Sequence, residues 1–378
     1  MPAKVLVVIG TRPEAIKLAP VIHELRRRAE QIATRVLLTG QHQELLAPLV
    51  EYFDLRPDLD LRLMSPGQSP AAFTARALAA LDEQLQRERP DWLVIQGDTA
   101  TVLAASLAGF LHRVPILHVE AGLRSGALDE PWPEEFNRRV ATLATTLHAA
   151  PTERAAQRLL AEGIEPANIR VTGNPVIDAL QFADNRESLR DGYWREKYPT
   201  LGDKPVVLVT AHRRENLGPR LKQITAAIAQ LARRRPECAI VWPVHPHPEV
   251  RATVTRDLAA IGNVHLIEPV EYAEFVWLMR RASLIISDSG GIQEEAPALG
   301  KPVLVLRDVT ERPEALETGW VELVGVEPTT AVSAAEAWLS GERQSPESGK
   351  QPFGDGHAAV RIVDWLSEQV EQAARPVK

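Results

Sequence analysis

The 378-residue sequence predicts an α/β protein built of two Rossmann-like, doubly wound parallel-sheet domains facing a cleft. Three observations predict it. Short apolar runs alternate with longer helical patterns along the chain, the sequence form of parallel strands joined by crossover helices. The runs fall into two sets with a polar stretch between them. The chain is also too long for one ordinary core and long enough for two.

In the first set, strands are expected near KVLVVIG (4–10), RVLLTG (35–40), DWLVIQGD (91–98), PILHVEAG (115–122), TLHAAP (146–151) and IRVTGN (169–174). The second set is PVVLVTAH (205–212), CAIVWPVH (238–245), VHLIEP (264–269), SLIISDSG (283–290), PVLVLRD (302–308) and WVELVG (320–325). Between them, 184–204 is polar and carries Pro and Gly, the composition of an interdomain connection with a hinge. The expected boundaries are a first domain at 1–175, a connection at 176–204, a second domain at 205–355 and a C-terminal helix at 356–378. Val360, Val363, Trp365 and Leu366 give that helix an apolar face.

A net charge of −7 argues against a general nucleic-acid binder, which needs a clustered positive field. The single cysteine, Cys238, lies in the apolar stretch CAIVW and reads as a buried structural thiol, so no disulfide framework is expected. The N-terminus meets Arg12 and Glu14 too soon for a secretory segment. The longest apolar stretch, 100–111, falls short of the roughly 20 residues of a membrane helix. A cytoplasmic protein with no membrane partner is expected.

Ligands of open α/β sheets bind beyond the carboxyl ends of the strands, so the residues following each run carry the candidates. GTRPEAIKLAP at 10–20 places Pro13 in the first turn of a helix and offers Arg12 and Lys17 to an anion. Asp98 follows VIQG and Glu120 follows LHV. Alone, each would read as a helix cap or ion-pair partner. As a pair on separate strands of one lobe they suit acid/base chemistry, because neighbouring carboxylates can split into acid and base roles. Glu134 and Glu135 in EPWPEEFNRR add two acids beside a helix start, where capping is an equally good account. In the second set, TAHRREN at 210–216 offers His212 for proton transfer and Arg213 and Arg214 as planar donors. SDSGGIQEE at 287–295 brings Ser289, Gly290 and Gly291 to the start of a helix, where backbone amides can meet a pyrophosphate. Glu294 and Glu295, one turn on, suit ribose hydroxyls. Arg312 lies in RDVTERPEALETG, between loops of the expected cleft.

GTRPEAIK, GQHQELL, QGDTAT, HVEAGLRS, PWPEEFNRR, TGNPVID, TAHRREN, SDSGGIQEEAPALGKPVLVLRDVTERPEA and FGDGHA, taken in order, closely resemble the non-hydrolysing UDP-N-acetylglucosamine 2-epimerases, from residue 10 to about 358. The resemblance implies a GT-B glycosyltransferase-like fold, a homodimer, and a terminal helix that returns to the first lobe. It implies reversible conversion of UDP-N-acetylglucosamine to UDP-N-acetylmannosamine, with no added cofactor and no metal, for surface polysaccharide. Loss of UDP would give 2-acetamidoglucal, and UDP would add back with the proton delivered to the other face. By motif match, Asp98, Glu120, Glu134 and His212 take the catalytic roles. Arg12, Lys17, Arg138, Arg213, Ser289, Gly290, Gly291, Glu295 and Arg312 take substrate binding. Members activated by a second UDP-N-acetylglucosamine use positions matching Gln41, His42, Gln68 and His245, while Glu44 and Gly67 stand where that type tends to have Gln and Arg. The hydrolysing epimerases, which release UDP and N-acetylmannosamine, tend to carry GSRAEYG and GDR where this chain has GTRPEAIK and GDTAT. A non-catalytic UDP-sugar sensor would be expected to lose acids that this chain keeps. A site divided between two lobes implies closure on binding UDP.

Overall fold

VLVVI and WLVIQ are buried on both faces, as strands inside a parallel sheet covered by helices must be. The computed structural model describes residues 1–41, 43–65, 67–211, 213–344, 346 and 351–374. They pack as two units, Met1–Ala179 together with the chain from Phe353 onward, and Leu180–Pro352.

The first unit holds β1 (Ala3–Ile9), β2 (Ile32–Leu38), β3 (Leu59–Asp60), β4 (Trp92–Gln96), β5 (Ile116–Val119), β6 (Leu147–Ala150) and β7 (Ile169–Val171), ordered β3-β2-β1-β4-β5-β6-β7. Every pairing is parallel, and β1 meets β4 in register Val5 to Trp92. The second unit holds β8 (Val206–Thr210), β9 (Ala239–Pro243), β10 (Val264–Ile267), β11 (Ala282–Ser287), β12 (Val303–Val305) and β13 (Val321–Leu323), ordered β10-β9-β8-β11-β12-β13. Strand order therefore reverses between β1 and β4 in one unit and between β8 and β11 in the other. Such switch points open the crevices that bind ligands.

All the apolar runs singled out by sequence form strands, and β3 joins them. Leu59–Asp60 is only two residues long and has no apolar run to announce it. A core of Leu6, Val8, Leu93 and Ile95 with Phe73 and Leu81 lies under one face of the first sheet. Val207, Ile240, Trp242, Leu284 and Ile286 do the same for the second, with Cys238 buried among them.

The stretch 176–204, expected as a connection, is mostly helical, in Pro175–Ser188 and Asp191–Lys197, and belongs to the second unit from Leu180 on. Its aromatics explain this. Trp194 and Tyr198 stack on Trp277, whose indole donates to Asp191 at 2.9 Å, and Lys197 pairs with Glu274 at 2.6 Å. The helix Ala358–Ala374 lies with the first unit, burying Ile362, Val363, Trp365 and Leu366. Val360, expected on its apolar face, is instead exposed. Arg28 ties this helix to the helix Arg12–Arg27 through Asp364 at 2.7 Å and Ser367 at 3.2 Å. Among the described residues no helix is long and apolar enough to cross a membrane.

Candidate functional site

In the first unit, the switch point is lined by the residues after β1, β4 and β5. Glu120, directly after β5, is buried and sits on a left-handed backbone with φ 64°. A non-glycine side chain adopts that region at a cost of about 1 kcal/mol or more, so surrounding contacts must hold it there. They come from three separate segments: Lys17 Nζ at 2.5 Å, Asn174 Nδ2 at 2.9 Å, and the Gln96 amide, which donates to the other carboxylate oxygen. Asn174 is held in turn by the returning chain, its backbone N–H donating to the Phe353 carbonyl at 2.7 Å. A Cβ on Gly354 would lie 3.1 Å from the Gly173 Cα, a contact with backbone that leaves little room for any other residue. The FGDGHA motif thus supports Glu120 through Asn174.

Asp98 follows β4 and is partly exposed. Its carboxylate accepts from Arg138, and its carbonyl accepts from Asn137 Nδ2 at 2.9 Å. Both donors lie on the helix Glu134–Ala144, whose first turn holds the two adjacent acids. Glu135 is fully buried, accepting from the Ser125 amide at 3.1 Å and Arg139 at 2.9 Å and lying 3.3 Å from Arg138. Glu134 is half-buried in the same turn. The unit therefore sets two carboxylate–cation pairs, Asp98 with Arg138 and Glu120 with Lys17, beyond adjacent strands. Arg12 begins its helix and is half-buried.

Glu14, His118 and His148 of the first unit are buried titratable groups that were not among the sequence candidates. Glu14 closes a capping box on Thr11 and accepts from the Gly10 amide at 2.5 Å, the Thr11 amide at 3.3 Å and the Thr99 hydroxyl at 2.6 Å. Burial raises its carboxyl to about 7 against the pull of these donors. The T-x-x-E spacing was its visible signal. His118 and His148 are register partners on β5 and β6; burial lowers them to about 4 and about 3, so both are neutral. His118 Nε2 lies 2.8 Å from the Gly97 carbonyl and so carries the proton donated there.

The second unit builds a cationic site at its own switch point. Asp288, fully buried after β11, accepts from the Arg213 amide at 2.9 Å and Asn216 at 3.0 Å, locking the two loops together. Gly290 and Gly291 lead into the short helix Ile292–Ala298. A Cβ on Gly290 would lie 2.6 Å from Arg312 Nη1 and 3.4 Å from an Arg213 nitrogen, so two guanidinium groups converge over bare backbone. Among the described residues nothing accepts from the Gly290 and Gly291 amides. Arg312 donates to Glu294, and Arg307 holds Glu311 at 2.9 Å and 3.1 Å. Burial alone would raise Glu311, but Arg307, Arg213 and Arg312 hold it down at about 2. Sequence did not single out Arg307 or Glu311; their roles depend on side chains converging across the loop. Glu295 is buried and accepts from the Tyr272 hydroxyl at 3.3 Å, and the Ser289 amide donates to Ser287 at 2.9 Å.

His212 and His42 lie outside the described residues. Gln41 accepts from the Thr101 hydroxyl at 2.8 Å, and the buried Gln68 amide has no partner among the described residues. Both belong to the first unit, whereas His245 is exposed in the second, where its Nδ1 accepts from the His247 amide at 3.2 Å.

The family model described as UDP-N-acetylglucosamine 2-epimerase matches residues 23–367. A protein of Yersinia pestis named UDP-N-acetylglucosamine 2-epimerase is 47% identical over 370 residues, covering 96% of this chain and 98% of that one. The crystal structure of UDP-GlcNAc 2-epimerase from Neisseria meningitidis bound to UDP-GlcNAc has a TM-score of 0.91 and 44% identity, covering 97% of this chain and 100% of that one. The Methanocaldococcus jannaschii enzyme in complex with UDP-GlcNAc and UDP gives a TM-score of 0.84 at 35% identity, over 97% and 99% of the two chains. With its two doubly wound sheets and this match over nearly its full length, the chain belongs to the UDP-N-acetylglucosamine 2-epimerase family.

Proposed function

We propose that this protein interconverts UDP-N-acetylglucosamine and UDP-N-acetylmannosamine by eliminating UDP and adding it back. A carboxylate of the first unit takes the C2 proton. The C2–H electron pair becomes the C1–C2 double bond of 2-acetamidoglucal, and the C1–O bond breaks with its electrons passing to the diphosphate. In the second half the same UDP oxygen attacks C1 while a proton reaches C2 on the opposite face. Atoms and electrons balance without an outside oxidant or reductant.

Such a reaction needs proton carriers beside the sugar and positive charge where the diphosphate leaves. Asp98, Glu120 and Glu134 take the first role. Arg12, Lys17 and Arg138 accompany them as substrate-binding cations. Arg213, Arg312 and the Gly290 and Gly291 amides receive the diphosphate, with Ser289 beside them and His212 as its proton donor. Glu295 binds ribose hydroxyls. The observation that carries the reading is Glu120: a buried acid on a left-handed backbone, gripped by Lys17, Gln96 and Asn174 from three segments. Packing alone gives no reason to maintain that strain. Incubation with UDP-N-acetylglucosamine, followed by NMR of the products, tests the proposal. UDP-N-acetylmannosamine at equilibrium with substrate supports it; accumulation of free N-acetylmannosamine with UDP would assign the chain to hydrolysis instead.

The same reading includes a homodimer. The packed helices Ala100–Leu111 and Glu134–Ala144 leave Phe110, Leu111, Phe136 and Leu143 exposed, an apolar face suited to a second copy. Leu143→Glu should shift the sedimentation mass from dimer to monomer; a wild-type protein that sediments as a monomer at every concentration overturns this part.

A further inference from the structure

The turn that carries Asp98 is held at each of its three residues by a different side chain from elsewhere in the first unit. At Gly97, the carbonyl accepts from His118 Nε2 at 2.8 Å, while the amide donates to the Val119 carbonyl at 3.2 Å. At Asp98, the carbonyl accepts from Asn137 Nδ2 at 2.9 Å. At Thr99, the hydroxyl donates to Glu14 at 2.6 Å. His118, Asn137 and Glu14 are all buried, and they come from β5, from the helix Glu134–Ala144 and from the helix Arg12–Arg27.

Each of them has a duller explanation by itself: a core histidine, a helix-terminal amide, a capping acid. Together they exceed what helix capping needs. The capping box on Thr11 uses only Glu14 Oε2, yet Oε1 crosses the switch point to Thr99. Thr99 caps its own helix by accepting from the Val102 amide at 3.4 Å, so its donated hydrogen remains free for Glu14. The neutral state of His118 leaves one ring proton, and the Gly97 carbonyl fixes it on Nε2.

We propose that Glu14, His118 and Asn137 are positioning residues for the reaction, which by clamping Gly97, Asp98 and Thr99 from three sides fix the Asp98 carboxylate against the sugar. The inference rests on the reading of Asp98 as a proton carrier. A carboxylate misplaced by about 1 Å can lose on the order of 10²-fold in rate, whereas substrate binding distributed over many other groups changes little.

The test uses steady-state kinetics of the full chain with Thr99→Val, Thr99→Ser, Asn137→Ala and Asp98→Asn, together with Thr99→Val in the Asp98→Asn background. Thr99→Val and Asn137→Ala should each lower kcat about 10- to 100-fold with KM within about threefold, and Thr99→Ser, which keeps the hydroxyl, should recover most of the loss. Where Asp98 is already Asn there is no carboxylate to place, so Thr99→Val should cost almost nothing more. Normal kcat in folded Thr99→Val and Asn137→Ala, with Asp98→Asn inactive, overturns the clamp and leaves the role of Asp98 intact. An equal loss from Thr99→Val in both backgrounds also overturns it, because the effect would then not pass through the carboxylate. Full turnover by Asp98→Asn overturns the reading on which the clamp depends.

Discussion

Acidification should loosen the first unit through His148 and His118, with Glu14 acting against them. Both histidines are buried on neighbouring strands, and their folded-state values lie near 3 and near 4, below the ordinary 6.5. A histidine kept neutral by folding contributes stability that is present above 6.5 and lost as the pH falls toward its folded value. Between pH 6.5 and about 4.5 each loses roughly 2.7 kcal/mol, at 1.36 kcal/mol per pH unit, or about 5 kcal/mol together. Glu14 has the opposite sign. Its carboxyl is raised from 4.5 to about 7, so folding favours the protonated form, and stability lost above 7 returns as the pH falls. Over the same span it restores on the order of 2.5 kcal/mol, leaving a net loss of about 2 to 3 kcal/mol. Because the chain has two units, melting of the whole molecule would mix their transitions. Amide hydrogen exchange in β5 and β6, corrected for intrinsic rates, isolates the first. Protection there should fall about 10²-fold on going to pH 4.5 in the parent, nearer 10⁴-fold in Glu14→Gln, and hardly at all in His148→Leu. Protection factors that respond to pH identically in all three proteins would refute this assignment of charges.

Asp98→Asn, Glu120→Gln and Glu134→Gln should each cut kcat by at least about 10²-fold, the scale of a lost general acid or base, while UDP affinity measured by calorimetry stays within a fewfold. Unimpaired turnover in all three would contradict the acid/base assignment. Arg312→Ala should weaken UDP binding about 10- to 100-fold, as loss of a charge-assisted hydrogen bond predicts. Gly290→Ala should do nearly as much by placing a methyl group 2.6 Å from the Arg312 guanidinium, and normal UDP affinity in both variants would move the diphosphate elsewhere.

Much of the fold was legible because parallel strands buried on both faces must be continuous apolar runs, and VLVVI, WLVI, VVLV and LII are such runs. The stretch 180–204 was not, because its polar residues conceal Trp194 and Tyr198, whose stacking on Trp277 decides where the segment packs. Asp98 and Glu120 could be picked out because strand ends of open sheets face the crevice. Glu14 stands at the T-x-x-E spacing of a helix cap and is one, but only coordinates show its second oxygen reaching Thr99. His118 sits inside a strand, where a histidine reads as core, and nothing in its neighbours predicts the bond to Gly97. Residue type alone does not separate Glu134 from Glu135, and only the motif match prefers Glu134; the structure buries Glu135 against Ser125 and Arg139 and leaves Glu134 half-buried. The Arg307–Glu311 pair depends on a loop conformation that the local pattern does not encode.

Exchange at C2 tests the central claim most directly. Incubating the protein with UDP-N-acetylglucosamine in D2O and following the sugar by proton NMR reports whether the C2 hydrogen leaves during each turnover. Elimination and re-addition predict UDP-N-acetylmannosamine carrying deuterium at C2, with deuterium entering the substrate pool as the equilibrium is approached. Product formed at full rate with its C2 protium retained would contradict the account.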